Sequence, residues 1–207
     1  MKNFKSIFCI VILLTFWKSA SSQTPEPNSK KSESEDSLLL ASVMNPIFNY
    51  DEEFSINLIE LIDEFPKGFE NMKGEKKQLP DKTEYWVSNY KMMFTIEGTC
   101  AILPAKKTNS NSWIGIFILT ENKKDALEKY KEICEKVSKT EVSSCKLNKV
   151  EKTGPDGSSV TGWLVSDVLA GKDERLKDLV IKVYYVVPQG SGKKYAVRIL
   201  ISNIHEE

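Results

Sequence analysis

Three kinds of side chain in this sequence could make or break bonds: a lone histidine, four cysteines and twenty-nine carboxylates. The histidine, His205, stands third from the end, where chains usually fray. Imidazole activation of a serine or cysteine would have to work from a mobile tail ending in Glu206 and Glu207. That argues against a histidine-dependent nucleophile. No C-x-x-C spacing accompanies it, so no zinc site is expected. Paired carboxylates in a cleft could run a hydrolysis. Glu60, Asp63, Glu64, Glu128, Glu132 and Glu135 fall on the polar faces of two helical patterns, where solvation is their ordinary role.

Nucleotide chemistry is equally thin. Gly190-Ser191-Gly192-Lys193-Lys194 is glycine-rich with lysines, but it joins two strand-like runs and precedes no helix, so it reads as a hairpin turn. Gly154-Pro155-Asp156-Gly157 has the same turn chemistry. The pattern predicts no catalytic residue, no cofactor and no metal.

The N-terminus sets the expected compartment. Two early lysines, an apolar run from Ile7 to Trp17 and small residues at Ser19 to Ser22 read as a secretory signal peptide over residues 1–22. Cleavage there leaves Cys100, Cys134 and Cys145, and a secreted or periplasmic location permits disulfides. Cys134 and Cys145 are the expected pair, bridging a helix end to the next strand. Cys100 is left as a small buried hydrophobe or an intermolecular link. Removing Lys2, Lys5 and Lys18 turns a balance of 29 basic and 29 acidic residues into 26 against 29. That slightly acidic chain, without a basic stripe, speaks against nucleic acid.

Residues 23–37 carry prolines, serines and mixed charge but no hydrophobic side chain, and are expected to be a flexible linker. Leu38 to Tyr50 turns apolar. From there residues 38–207 are expected to make one domain.

The elements that position everything else come in two similar sets. Phe54, Leu58, Leu61, Ile62 and Phe65 line one face of a helix, and Ala126, Tyr130, Ile133, Cys134 and Val137 repeat that spacing 72 residues later. Strand-like runs follow each, Cys100 to Pro104 and Trp113 to Thr120 in the first set, Tyr184 to Pro188 and Tyr195 to Ser202 in the second. The spacing between equivalents widens along the chain to 84 residues, as a duplication with inserted loops would leave it. The predicted fold is α+β: two helix-then-four-strand halves, about 51–120 and 121–203, forming an antiparallel sheet with the helices on one face.

Strand alternation separates the faces. Tyr195, Val197, Ile199 and Ile201 point one way and Ala196, Arg198, Leu200 and Ser202 the other, and Tyr184 is placed with Arg198 on an exposed, mixed face. Ile114, Ile116 and Ile118 need a cover, from Leu38 to Tyr50, a second copy or a partner.

The layout of helical elements before four-stranded units is similar to that of secreted tandem-repeat proteinaceous enzyme inhibitors. No motif is shared, and the likeness transfers no residue or activity. It implies only that a concave sheet face is a reasonable binding surface. The leading expectation is a non-enzymatic secreted or periplasmic binding protein that holds a protein partner or small apolar ligand on Tyr184, Arg198, Ile114 and Ile116. The alternatives are a carboxylate-dependent hydrolase with a cleft between the halves, and an envelope structural protein that self-associates as a homodimer through its isoleucines.

Overall fold

The computed structural model describes residues 50–79, 81–108, 110–188 and 194–206. The expected signal peptide, linker and 38–49 segment, and the turn from Gly190 to Lys193, lie outside the described residues.

Helix α1 (Tyr50–Glu64) follows from its apolar stripe, and Asp51, Glu52 and Glu53 sit in its first turn, where carboxylates oppose the exposed N–H groups. It gives way to a short 3-10 turn, Phe65–Lys67. Pro66 disfavours continuing the helix, and Gly68 at φ 65° returns its N–H to the Phe65 carbonyl. Helix α2 (Lys123–Lys139) is capped by Asn122, whose side chain accepts from the Lys124 N–H at 2.9 Å, and carries Lys136 and Lys139 in its last turn.

Eight strands follow the two helices in equal numbers: β1 (Lys73–Gln78), β2 (Glu84–Ser88), β3 (Ala101–Leu103) and β4 (Ser112–Thr120) after α1, then β5 (Cys145–Thr153), β6 (Ser159–Val168), β7 (Leu179–Val186) and β8 (Tyr195–Asn203) after α2. They form one antiparallel sheet in the order β1-β2-β3-β4-β8-β7-β6-β5. The last strand of each set therefore meets its counterpart at the centre, and β1 and β5 become the two edges. Residues 51–207 form one compact unit.

The core gathers Phe54, Leu58 and Leu61 of α1, Ile133 and Val137 of α2, and the odd-numbered residues of β7 and β8, among them Ile181, Val183, Val197 and Ile199. Helix α2 lies against β4, β7 and β8. Phe54 meets Phe117 of β4 with ring centroids 6.3 Å apart. Tyr185 lies 6.0 Å from both Tyr130 and Tyr195.

A bulge in β4 corrects the grouping of the three isoleucines. Ile116 pairs with Arg198, but Ile118 pairs with Val197, so Phe117 is an extra residue that has no partner of its own. The slip turns Ile118 to the core side, away from Ile114 and Ile116.

The expected Cys134–Cys145 disulfide is not formed, and Cys100, Cys134 and Cys145 are all free and buried. The reason is register. Cys134 faces Thr161, and Thr161 pairs with Glu151, six residues along β5 from Cys145. At ~3.3 Å per residue that is about 20 Å of strand, whereas a disulfide needs Cα atoms within about 7 Å. Cys100 donates to Thr95 Oγ1 at 3.3 Å.

Residues Ile204–Glu206 are fastened, contrary to the fraying expected there. They form a 3-10 turn. The Glu206 carboxylate accepts from the backbone N–H groups of Lys106 at 2.8 Å, Lys107 at 3.1 Å and Thr108 at 2.6 Å, and from the Thr108 hydroxyl. Successive N–H groups converging on one carboxylate make a small anion nest.

Candidate functional site

The four residues singled out from the sequence come together on the sheet face that carries the even-numbered residues of β7 and β8. Ile116, Arg198, Tyr184 and Val160 are direct cross-strand neighbours in one row, and Ile114, Leu200, Lys182 and Gly162 form the next. Strand pairing alone made this patch: Ile116 and Tyr184 are far apart in sequence, and β8 stands between them.

The face is closed at its centre, which corrects the exposed face expected for Tyr184 and Arg198. Ile116 is 2 % exposed, Arg198 5 % and Lys182 9 %, while Tyr184, Val186 and Leu200 are half-buried. Ile114, Ile116, Val180 and Ala196 are buried yet stand apart from the core cluster that holds α1 and α2. Both sides of the central strands are thus interior in character, which is why β4 and β8 read as nearly continuous apolar runs.

Arg198 is the chemically distinctive group. Its guanidinium lies 4.8 Å from the centre of the Tyr184 ring, a cation–π contact. Nε and NH1 are buried and find no hydrogen-bond partner among the described residues. Burial pulls the Arg198 pKa down, with Tyr184 opposing it weakly. A guanidinium nonetheless stays protonated, so a desolvated cation remains whose Nε and NH1 are unused among the described residues. A carboxylate suits such a group, accepting at either Nε or NH1; the two lie on different edges of the guanidinium, so each would take its own acceptor. Neither row carries an acidic side chain.

A second concavity was not foreseen from the sequence. A groove of about 450 Å³ runs between α2 and the β5–β6 hairpin, with Tyr130, Cys134, Lys149, Glu151 and Thr161 in its wall. Tyr130 and Thr161 share a hydroxyl hydrogen bond of 2.7 Å, and burial pushes the Tyr130 phenol up to about 12. Burial also pushes the thiols of Cys134, Cys145 and Cys100 up, which keeps them protonated and poor nucleophiles. The periodicity of α2 placed Tyr130 and Cys134 on one face, but only the packed hairpin supplies the opposite wall.

The carboxylates on the helices pair outward. Glu128, Glu132 and Glu135 face Lys124, Lys129 and Lys139, and Glu60 accepts from the Tyr90 hydroxyl. His205 lies 3.9 Å from Asp178 with 70 % of its side chain exposed. Among the described residues no group of three or more His, Cys, Asp or Glu is placed to hold a metal ion. No helix there is long and apolar enough to cross a membrane.

These features define an α+β protein built on an eight-stranded antiparallel sheet. Comparison of the chain with protein-family models, with curated proteins and with solved structures finds no match.

Proposed function

We propose that the chain is a secreted or periplasmic binding protein built from two repeated halves. In this reading α1 and α2 cover one face of the sheet, and the opposite face holds a protein partner or apolar ligand. The observation that carries the reading is Arg198: a buried guanidinium with two donors unused among the described residues, set among Ile114, Ile116, Ala196 and Leu200. Such a group is costly to bury alone and gains most from a ligand that brings an acidic group with an apolar body. The repeat is supported by the order of elements, a helix and a four-strand meander twice over, with β4 and β8 meeting at the centre. Because the centre of the face is closed, a partner enters through the half-buried rim at Tyr184, Val186 and Leu200. Association is then slower than for a preformed surface.

The test is purification of the processed chain from its natural secretory host, followed by native mass spectrometry and partner capture with wild type, Tyr184→Ala at the half-buried rim and Arg198→Gln. A partner or ligand held by wild type and lost from both variants, with their far-UV circular dichroism intact, is the expected result. Retention by both variants would remove this face from consideration.

A further inference from the structure

The free edge of the sheet at β5 carries an inference independent of the binding face. Strand β5 is nine residues long and all nine pair with β6, yet it ends the strand order, so its outer N–H and C=O groups have no strand beside them among the described residues. Residues Asn148 to Thr153 are exposed. Val150, in the middle of that stretch, is 44 % exposed and is one of few large apolar side chains among the described residues so open to solvent. Folded proteins blunt long edges with lysine or bulges, and β5 does carry Lys146, Lys149 and Lys152. The spacing of these lysines around a single glutamate makes the edge selective instead of inert.

Consider two copies of β5 pairing antiparallel about a two-fold axis, with opposed side chains kept on the same face. An axis at Lys149 sets Lys149 against Lys149 and Lys146 against Lys152. One at Glu151 opposes two glutamates, and one at Lys152 opposes two lysines. An axis at Asn148 opposes no like charges but gains no ion pair. Centred on Val150, the ladder places Val150 on Val150 and Lys149 opposite Glu151 twice, with Lys152 opposite Asn148. Within one chain Lys149 and Glu151 already lie on one side of the strand, 2.7 Å apart, with 46 % and 65 % of their side chains exposed. Both are therefore available to a facing strand at little desolvation cost.

We propose that β5 is the docking edge for a second copy of this chain, joined through an antiparallel β5–β5 ladder centred on Val150 to give one continuous sixteen-stranded sheet. Centred on Val150, the ladder runs from Leu147 to Thr153, seven residues, and buries less than the ~1,200–2,000 Å² of a standard interface, so the dimer is weak and forms at high micromolar protein.

Sedimentation equilibrium of the full chain from about 5 to 500 µM tests it, a range chosen to bracket a dissociation constant in the micromolar region. Wild type is expected to dimerise. Glu151→Lys, which opposes Lys149 with lysine on both sides of the axis, is expected to shift association at least about tenfold towards monomer. The double variant Lys149→Glu with Glu151→Lys recreates both pairs in reverse and is expected to restore the dimer, while Lys76→Gln, on β1 at the opposite edge of the sheet, leaves it unchanged. Thermal unfolding separates lost pairing from lost folding. A wild type monomeric throughout, a Glu151→Lys variant that dimerises as well as wild type, or a charge-reversed pair that fails to recover would each overturn the proposal. A dimer abolished by Lys76→Gln would move the contact to the β1 edge and overturn it as well.

Discussion

Truncating Glu206 to alanine should unlock the end of the chain and the Lys106 to Thr108 loop together. Its carboxylate accepts three backbone N–H bonds and one hydroxyl, at distances between 2.5 and 3.1 Å. A hydrogen bond to a charged group contributes about 1.5–3 kcal/mol when fully buried. The site is only partly buried, and water replaces the carboxylate at some donors, which brings the four bonds to about 2 kcal/mol together. For a domain of this size that corresponds to a fall in Tm of about 4–8 °C at neutral pH. Glutamine, which keeps one acceptor oxygen without the charge, should lie between.

The pH dependence is a second readout. Burial pushes the Glu206 pKa up, but the hydrogen bonds from Thr108, Lys106 and Lys107 outweigh it and hold the folded value below the ordinary 4.5. The stabilisation is therefore complete above the unfolded pKa and disappears as the pH falls through the lower folded one. Circular dichroism melts of wild type, Glu206→Ala and Glu206→Gln should draw closer together as the pH falls from 7 to 3. A double cycle with Thr108→Val should return a coupling of about 1 kcal/mol. Melting of Glu206→Ala within about 1 °C of wild type at pH 7, or a deficit that persists undiminished at pH 3, would refute the reasoning.

Two further perturbations address the core. Phe117, the bulge residue packed on Phe54, should cost about 3–4 kcal/mol as Phe117→Ala, read by urea unfolding; a loss under about 1 kcal/mol would mean the bulge tolerates an empty site. The three thiols should stay unmodified by Ellman's reagent in the native protein and react only on unfolding, and the intact mass should match the fully reduced chain, whereas a mass two daltons lower would reveal a disulfide.

Legibility was uneven, and the divide follows the range of the interaction. The apolar spacings of Phe54 to Phe65 and Ala126 to Val137 placed both helices, because a helix face is set by neighbours three and four residues away. Alternation in Tyr195 to Ser202 sorted Val197, Ile199 and Ile201 from Arg198 for the same local reason. The grouping of Ile118 with Ile114 and Ile116 failed, since a bulge is defined against the partner strand and a single chain of alternating residues does not announce it. The Cys134–Cys145 bridge failed on distance: closeness in sequence says nothing of twenty ångströms of strand between them. Glu206 was read as a solvated end because its partners lie about a hundred residues earlier.

Composition and periodicity by themselves determined the α+β class, the helices, the antiparallel strands and the alternation that puts Arg198 and Tyr184 on one side of their strands. These depend on backbone geometry and burial within a few residues. Only the tertiary structure decided that β4 meets β8, that Ile116, Arg198 and Tyr184 share a row, and that among the described residues Arg198 is buried with donors to spare and β5 is left as an edge. Each of those follows from which strands become neighbours, a choice made by the packing of the whole sheet and written in no single segment of the chain.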